Sequence, residues 1–446
     1  MSHHCIKQKL LSAISDVVSD IDSFSLNPGR DFSRVKKLPP DKLIRFLISE
    51  GSSSTKNELL DFFGMDTSAP SSSAFSQQRA KLKPEAVEAV FRKFNQSLVE
   101  LTPLNHYRFL AVDGSDLTFL GNESFASPDY FVSEGHSMKG FASMHLNALY
   151  DLDTHTYEDA LIQPVHSKDE FGAFCSMVDR YQARPGEKTV FIGDRGYPSY
   201  NTMAHVIHNG NFFLFRAKDI TGKGMTKGLA LPQCDSFDEE VCISIVRSHS
   251  GKVGDTPGKQ RFVGKDISFD FVEYGSFDSY TLSFRVVRFP LSDDSYECLV
   301  TNLPAEEFPL EELKRLYFRR WGLESAFRKL KYTIGLNNFH AKKTEHIKQE
   351  VWARLIAYNL TETMIRLSIQ SAEKKKKKET KHDYQLNFST AAHICRVFLH
   401  LTVEKDKMNV MALIQKELLP IRADRQVKRL QTAHFRKPRY FIYRAS

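Results

Sequence analysis

Between Arg108 and Lys218 the chain alternates apolar runs of strand length with turns and two helical stretches, and that grammar admits few folds. Phe109-Leu-Ala-Val-Asp113 is an apolar run ending in Asp-Gly-Ser, and Met144 to Leu152 and Tyr157 to Val165 follow with turns between them. A helical stretch from Asp169 to about Tyr181, the run Thr189-Val-Phe-Ile-Gly-Asp194, another helix and Phe212-Phe-Leu-Phe-Arg-Ala-Lys218 complete the series. Three strands, a helix, a strand, a helix and a strand predict an α/β class core with a mixed sheet. The whole chain has 446 residues, so roughly one to three domains are expected.

The flanks differ in pattern. Residues 1–100 read as helical and basic. Pro40 to Ile48 places apolar residues at 43, 44, 47 and 48, Lys56 to Phe63 forms a second short helix ended by Gly64, and Ser73 to Lys83 forms a third. That third helix carries Gln77, Gln78, Arg79, Lys81 and Lys83, and the trio suits either a helix-turn-helix-like DNA reader or a small bundle with a solvated polar face. Residues 101–219 hold the first part of the core. Residues 220–303 hold short alternating runs such as Ile267 to Tyr274 and Leu282 to Phe289, and read as an antiparallel β insertion. Helical patterns at about 309–334 and 344–371 make residues 304–372 the second part of the core, leaving 373–446 as a basic C-terminal region. The run Lys374 to Lys378 reads as a mobile, solvated loop.

Composition removes several function classes. With 62 Lys and Arg against 54 Asp and Glu, the formal charge is +8, which favours an anionic partner. No apolar run approaches the ~18 residues of a membrane span, and the opening Met1-Ser-His-His shows no secretory pattern. The six cysteines are scattered without Cys-x-x-Cys spacing, which argues against zinc and for free thiols in a reducing cytoplasm. Gly251 to Gln260 has the wrong glycine and lysine spacing for a phosphate loop, and Gln260 stands where Ser or Thr is needed, so ATP use is rejected.

The chemistry concentrates in carboxylates. Asp113 and Asp194 each close an apolar run beside small residues, where side chains project toward the usual ligand crevice of an open α/β sheet. A lone Asp there is more often a turn former or a helix cap. Asp116 is a rival to Asp113, but three residues along a strand reverses the face, so at most one joins a given site. Advancing about 100° per residue from Tyr317 brings Arg320, Glu324 and Lys331 within about 60° of arc. This polar row lies beside an apolar stripe of Leu316, Leu323, Phe327, Leu330 and Ile334. Three carboxylates on separate elements suit two divalent cations, and hard oxygen donors suit Mg²⁺.

Asp113-Gly-Ser, Asp194-Arg-Gly-Tyr and Tyr317-x2-Arg320-x3-Glu324-x6-Lys331 together resemble the signature of DDE transposases of bacterial insertion sequences, in the group with the Tyr-Arg-Glu-Lys motif. The resemblance runs from about residue 30 to the end, including Phe75-Ser-Gln-Gln-Arg-Ala-Lys-Leu82 and the tail Arg422-Ala-Asp-Arg425…Arg436-Lys-Pro-Arg-Tyr-Phe. It implies an RNase H-like mixed sheet flanked by helices and interrupted by the β insertion. It implies that Asp113, Asp194 and Glu324 bind two Mg²⁺ ions, for which Mn²⁺ can substitute. Tyr317, Arg320 and Lys331, with Arg195 of the second motif, would contact DNA phosphates, and Gln77, Gln78 and Arg79 would serve the N-terminal reader. The expected partners are double-stranded transposon ends and target DNA, with a homodimer pairing two ends at the nucleoid. In hairpin-forming relatives an aromatic of the insertion holds a flipped base, a role open here to Tyr274, Tyr280, Phe284 or Phe289. Two alternatives stand beside this reading: a non-catalytic DNA-binding protein of the same descent, and an RNase H-like nuclease that cuts without joining.

Overall fold

Parallel strands covered on both faces must be apolar along their whole length, and the middle of this sheet follows that rule. The computed structural model of the chain describes residues 2–34, 36–100, 106–119, 127–132, 140–222, 224–248, 259–292, 295–373, 384–401 and 408–420. Five helices come first: α1 (His3–Ser19), α2 (Pro40–Ser49), α3 (Thr55–Phe62), α4 (Ser72–Arg79) and α5 (Pro84–Val99). The core follows as β1 (Tyr107–Phe119), β2 (Phe131–Val132), β3 (Phe141–Asp151), β4 (Thr156–Pro164), α6 (Glu170–Arg180), β5 (Lys188–Gly193), α7 (Tyr200–His208) and β6 (Phe212–Ala217). Next are β7 (Phe237–Val246), β8 (Gln260–Phe262), β9 (Ser279–Ser292) and β10 (Ser295–Thr301). Helices α8 (Leu310–Arg319), α9 (Trp321–Arg328), α10 (Thr344–Glu373), α11 (Phe388–His400) and α12 (Val410–Lys416) complete the described elements used below.

Strands β4, β3 and β1 pair antiparallel, β1, β5 and β6 pair parallel, and β10, β9 and β7 continue antiparallel from β6. The insertion therefore extends the core sheet through the β6–β10 pairing instead of forming a sheet of its own. One face carries Ala111, Leu117, Val190 and Ile192 against α8, α9 and α10, and the other carries Leu110, Val112 and Phe191 against α6 and α7.

Three local expectations change. β1 does not end at Asp113. It loses its β5 partner after Ala111↔Ile192, but its ladder with β3 runs on from Asp113↔Ala148 to Phe119↔Ala142. Residues Ile267 to Tyr274 form turns, not a strand. The reason is Arg247, whose guanidinium donates to the carbonyls of Gly264, Ile267, Phe269 and Val272 and so takes the acceptors a ladder would have used. The helical pattern at 309–334 breaks at Arg320 and ends in a π-helical turn, Lys329–Thr333, closed by Ile334 N–H to Lys329 O at 3.0 Å. Lys374 to Lys378, the glycine-rich stretch 251–258 and the tail from 421 lie outside the described residues. All six cysteines are free, and no described helix is long and apolar enough to cross a membrane.

Candidate active site

Asp113 and Asp194 occupy equivalent places on neighbouring parallel strands. The β1–β5 ladder ends at Ala111↔Ile192, and each aspartate lies two residues beyond that last pair, on the face that receives α9. Asp113 Oδ1 accepts from Gly114 N–H at 2.8 Å. Asp194 Oδ1 accepts from Gly196 N–H at 2.8 Å, so the turn-forming role and a place in a site coexist. Glu324 comes from the first turn of α9 and accepts from Arg320 Nη2 at 3.1 Å.

The electrostatics tie these groups together. Burial pushes the Asp113 carboxyl up to about 6, against the Gly114 bond that lowers it, and the negative charges of Asp194 and Glu324 add to the rise while Arg320 opposes it. Asp194 and Glu324 thus each lie within electrostatic reach of Asp113, with Arg320 among them, as a set of hard oxygen donors. Such a set fits divalent cations of the Mg²⁺ kind. Asp116 takes no part in this group. Its Oδ1 lies 2.6 Å from His145 Nδ1 on the opposite face of β1.

The Tyr-Arg-Glu-Lys row converges on the same edge. Tyr317 is buried on α8, burial raises its phenol pKa, and its charged neighbours include Arg320 and Asp194. Arg320 sits at the junction of α8 and α9, only 5% exposed. Burial pulls its pKa down, but Tyr317, Glu324 and Asp113 together outweigh that and hold it above its ordinary value. Lys331 lies within the π turn and donates to Asp116 O at 3.0 Å, and burial lowers its pKa. Tyr317 Oη, Arg320 Nε and Tyr197 Oη are buried without a hydrogen-bond partner among the described residues. Each is a donor that an acceptor oxygen would satisfy.

Other candidates fall elsewhere. Arg195 is exposed beside Asp194, and Gln77 is exposed on α4, with Gln78 half-buried and accepting from Lys81. Arg79 is not a surface residue: its guanidinium is buried and donates to Gln349, Glu350 and the His346 carbonyl of α10. Phe284 and Phe289 are buried and Tyr280 partly so, whereas Tyr274 and the unforeseen Phe277 are exposed. Glu50, His340 and Glu350 bring ligand atoms within 4.8 Å of one another. Arg79 is bonded to Glu350, and Arg354 lies near both carboxylates, so the protein's own cations already neighbour this group. The sequence reading missed Glu170 and His145, which the structure brings up behind the two aspartates. The His145↔Asp116 pairing needed the β1–β3 register, which no local pattern carries.

The family described as Transposase DDE domain matches residues 104–360, which contain Asp113, Asp194, Tyr317, Arg320, Glu324 and Lys331. The chain is 36% identical over 296 residues to Transposase InsG for insertion sequence element IS4 of Escherichia coli (strain K12), covering 65% of this chain and 60% of that one. It is 32% identical over 261 residues to the transposase for insertion sequence element IS231F of Bacillus thuringiensis subsp. israelensis, covering 53% of each. The chain thus spans about half to three-fifths of the length of these two relatives. A cryo-EM structure of a piggyBac transposase synaptic complex with hairpin DNA overlaps 93% of this chain and 81% of its own, at TM-score 0.45 and 8% identity, a likeness too low to argue from.

Proposed function

The chain belongs to the transposase DDE domain family, and from that premise we propose that it is an insertion-sequence transposase, cutting DNA at terminal inverted repeats and joining the freed 3′-hydroxyl to target DNA. The observation that carries this reading is the grouping of Asp113, Asp194 and Glu324 where β1 outruns β5, with Arg320 bonded to Glu324. Asp113, Asp194 and Glu324 would hold two Mg²⁺ ions, or Mn²⁺ in their place, whose chemistry is to activate the attacking oxygen and stabilise the leaving one. The protein's own part is to bring the phosphodiester to that edge. Tyr317, Arg320 and Lys331 offer buried or half-buried donors to its oxygens, and exposed Arg195 can reach the neighbouring phosphate.

The strand order β4-β3-β1-β5-β6, antiparallel then parallel with helices on both faces, supports an RNase H-like core. In the N-terminal region Gln77 and Gln78 remain available for reading terminal repeats, without Arg79. Among the insertion's described aromatics, the exposed rings of Phe262, Tyr274 and Phe277 are placed to meet an unpaired base. Two transposon ends must be brought together, which calls for a homodimer acting on the bacterial nucleoid.

The test is cleavage of a supercoiled plasmid carrying the element's own ends, with Mg²⁺, with EDTA, and with the Asp194→Asn variant. Cutting confined to the ends, dependent on the cation and lost in the variant, is the expected outcome. End binding without cutting would leave a non-catalytic relative, and cutting throughout the plasmid would leave a nuclease.

A further inference from the structure

Gly114 and Gly196 follow the two aspartates, and one carboxylate lies near both. A first side-chain carbon at 114 would collide with His145 Nε2 and lie 3.2 Å from Glu170 Oε1. At 196 it would lie 3.2 Å from Asp194 Oδ1 and 3.9 Å from Glu170 Oε2. Glu170 therefore occupies the space between the two aspartate-bearing segments, one oxygen toward each.

The side chain is held there by a built arrangement. Glu170 opens α6, whose N-cap Asp169 accepts from Gly172 N–H at 2.9 Å. His145 is buried on β3 directly across from Asp116, with Nδ1 2.6 Å from Asp116 Oδ1 and Nε2 3.1 Å from Glu170 Oε1. The second contact is close without the alignment of a hydrogen bond. Lys168 Nζ lies 2.8 Å from Glu170 Oε1 and 3.7 Å from Asp116 Oδ1. Strand alternation puts Gly114 and Asp116 on the face of β1 opposite Asp113. The cluster thus stands behind the site and ligates nothing in it.

We propose that Glu170, steadied by His145, Asp116 and Lys168, is a positioning residue that fixes the spacing between Asp113 and Asp194. The need for it follows from the sheet. The β1–β5 ladder stops two residues before both aspartates, so no backbone hydrogen bond between the two strands sets the distance between the carboxylates. A pair of carboxylates that must share cations requires that distance to be held, and supports behind such ligands typically change metal affinity or activity by about 10–100-fold. The proposal rests on Asp113 and Asp194 being the catalytic carboxylates.

The experiment uses full-length protein with Glu170→Ala, Glu170→Gln and Gly114→Ala, and Asp194→Asn as control. Three quantities are read: Mn²⁺ binding to the DNA-free protein by electron paramagnetic resonance, the cation concentration for half-maximal cutting, and binding of terminal-repeat DNA. Glu170→Ala should weaken Mn²⁺ binding and raise the half-maximal cation concentration by about tenfold or more, with DNA binding unchanged. Glu170→Gln should recover part of the loss, and Gly114→Ala should reproduce it by displacing His145, which steadies the same carboxylate. Wild-type Mn²⁺ binding and cation dependence in folded Glu170→Ala or Glu170→Gln, with Asp194→Asn inactive, would overturn the positioning role alone. Wild-type cutting in Asp194→Asn would instead remove the site itself, and the proposal with it.

Discussion

Asp113 carries a cost that the proposed cation site would explain. Its carboxyl is largely buried beside two other acids and is pushed up to about 6 from an ordinary 3.8. Between about pH 4 and pH 6 the folded protein keeps a proton there that the unfolded chain has released, so stability from this group falls as pH rises through that window. At neutral pH without divalent cation the folded state bears an unfavourable charge, and Asp113→Asn should stabilise it by on the order of 1–3 kcal/mol. Mg²⁺ should raise the Tm of the wild-type protein, and the same variant should lose both cutting and that rise. Thermal unfolding in EDTA at pH 7.5 checks this, and a lower Tm for Asp113→Asn would contradict it. Asp113 and Asp194 stand out in the sequence because each sits beside glycine at the end of an apolar run, and Glu324 because of its place in the row from Tyr317 to Lys331. Arg79 was not placed correctly, although a signal existed: Phe75 and Arg79 are four residues apart, so the helix face that buries one buries the other.

At the scale of elements, the strands and helices of the core could be read from periodicity, but their interruptions could not. A π turn after Glu324 keeps no fixed 100° step, so the projection that placed Lys331 in the row stops being valid at Lys329, and it is the bond to Asp116 O that locates the amine. The turns at 267–274 were hidden because their carbonyl partner, Arg247, lies some twenty residues earlier in the chain. These turns dock on α7 through His205, whose Nδ1 lies 2.8 Å from Asp179 and Nε2 2.9 Å from Asp270. Asn201 adds a reciprocal pair with Asp270, and the rings of His205 and His208 pack on Phe271. Burial lowers the His205 pKa, but the two carboxylates overcome it and hold the value above 6.5. This contribution is therefore complete below pH 6.5 and is lost as pH rises through the raised value. Protection of the 267–274 amides against exchange, taken relative to the intrinsic rate at each pH, should fall over that rise while the sheet keeps its protection, and His205→Gln should abolish that fall. A pH-independent difference between the two proteins would show that the latch does not titrate.

For the whole molecule the question is whether residues 1–100 are a domain at all. Helices α1, α2 and α5 share one continuous apolar core with α8 to α12, from Ile6 and Leu10 to Val410 and Ile414. Polar bonds cross the same boundary. Lys7 donates to the carbonyls of Phe398 and Leu401 at the end of α11, Arg354 of α10 donates to the Glu50 carbonyl, and Arg79 pairs with Glu350 at 2.9 Å. A separate DNA-reading domain would be joined by a hydrated interface and would move relative to the core. Here the N-terminal helices would expose Leu43, Leu47, Val87 and Phe91 if removed, a surface that favours aggregation. The full chain should accordingly show N-terminal helices and core unfolding together. Arg79→Ala, which leaves the buried Glu350 without its cation, should shift that shared transition by about 3–5 kcal/mol. Differential scanning calorimetry with a fluorescent reporter on α4 and a second on α6 separates the cases. Coincident transitions, both displaced in Arg79→Ala, are what a shared core requires, whereas an early melt of α4 alone would restore the separable domain. If the core is shared, terminal-repeat DNA bound at Gln77 and Gln78 is set in a fixed relation to Asp113, Asp194 and Glu324, so the distance from repeat to cut would be written into α10 and not into a linker.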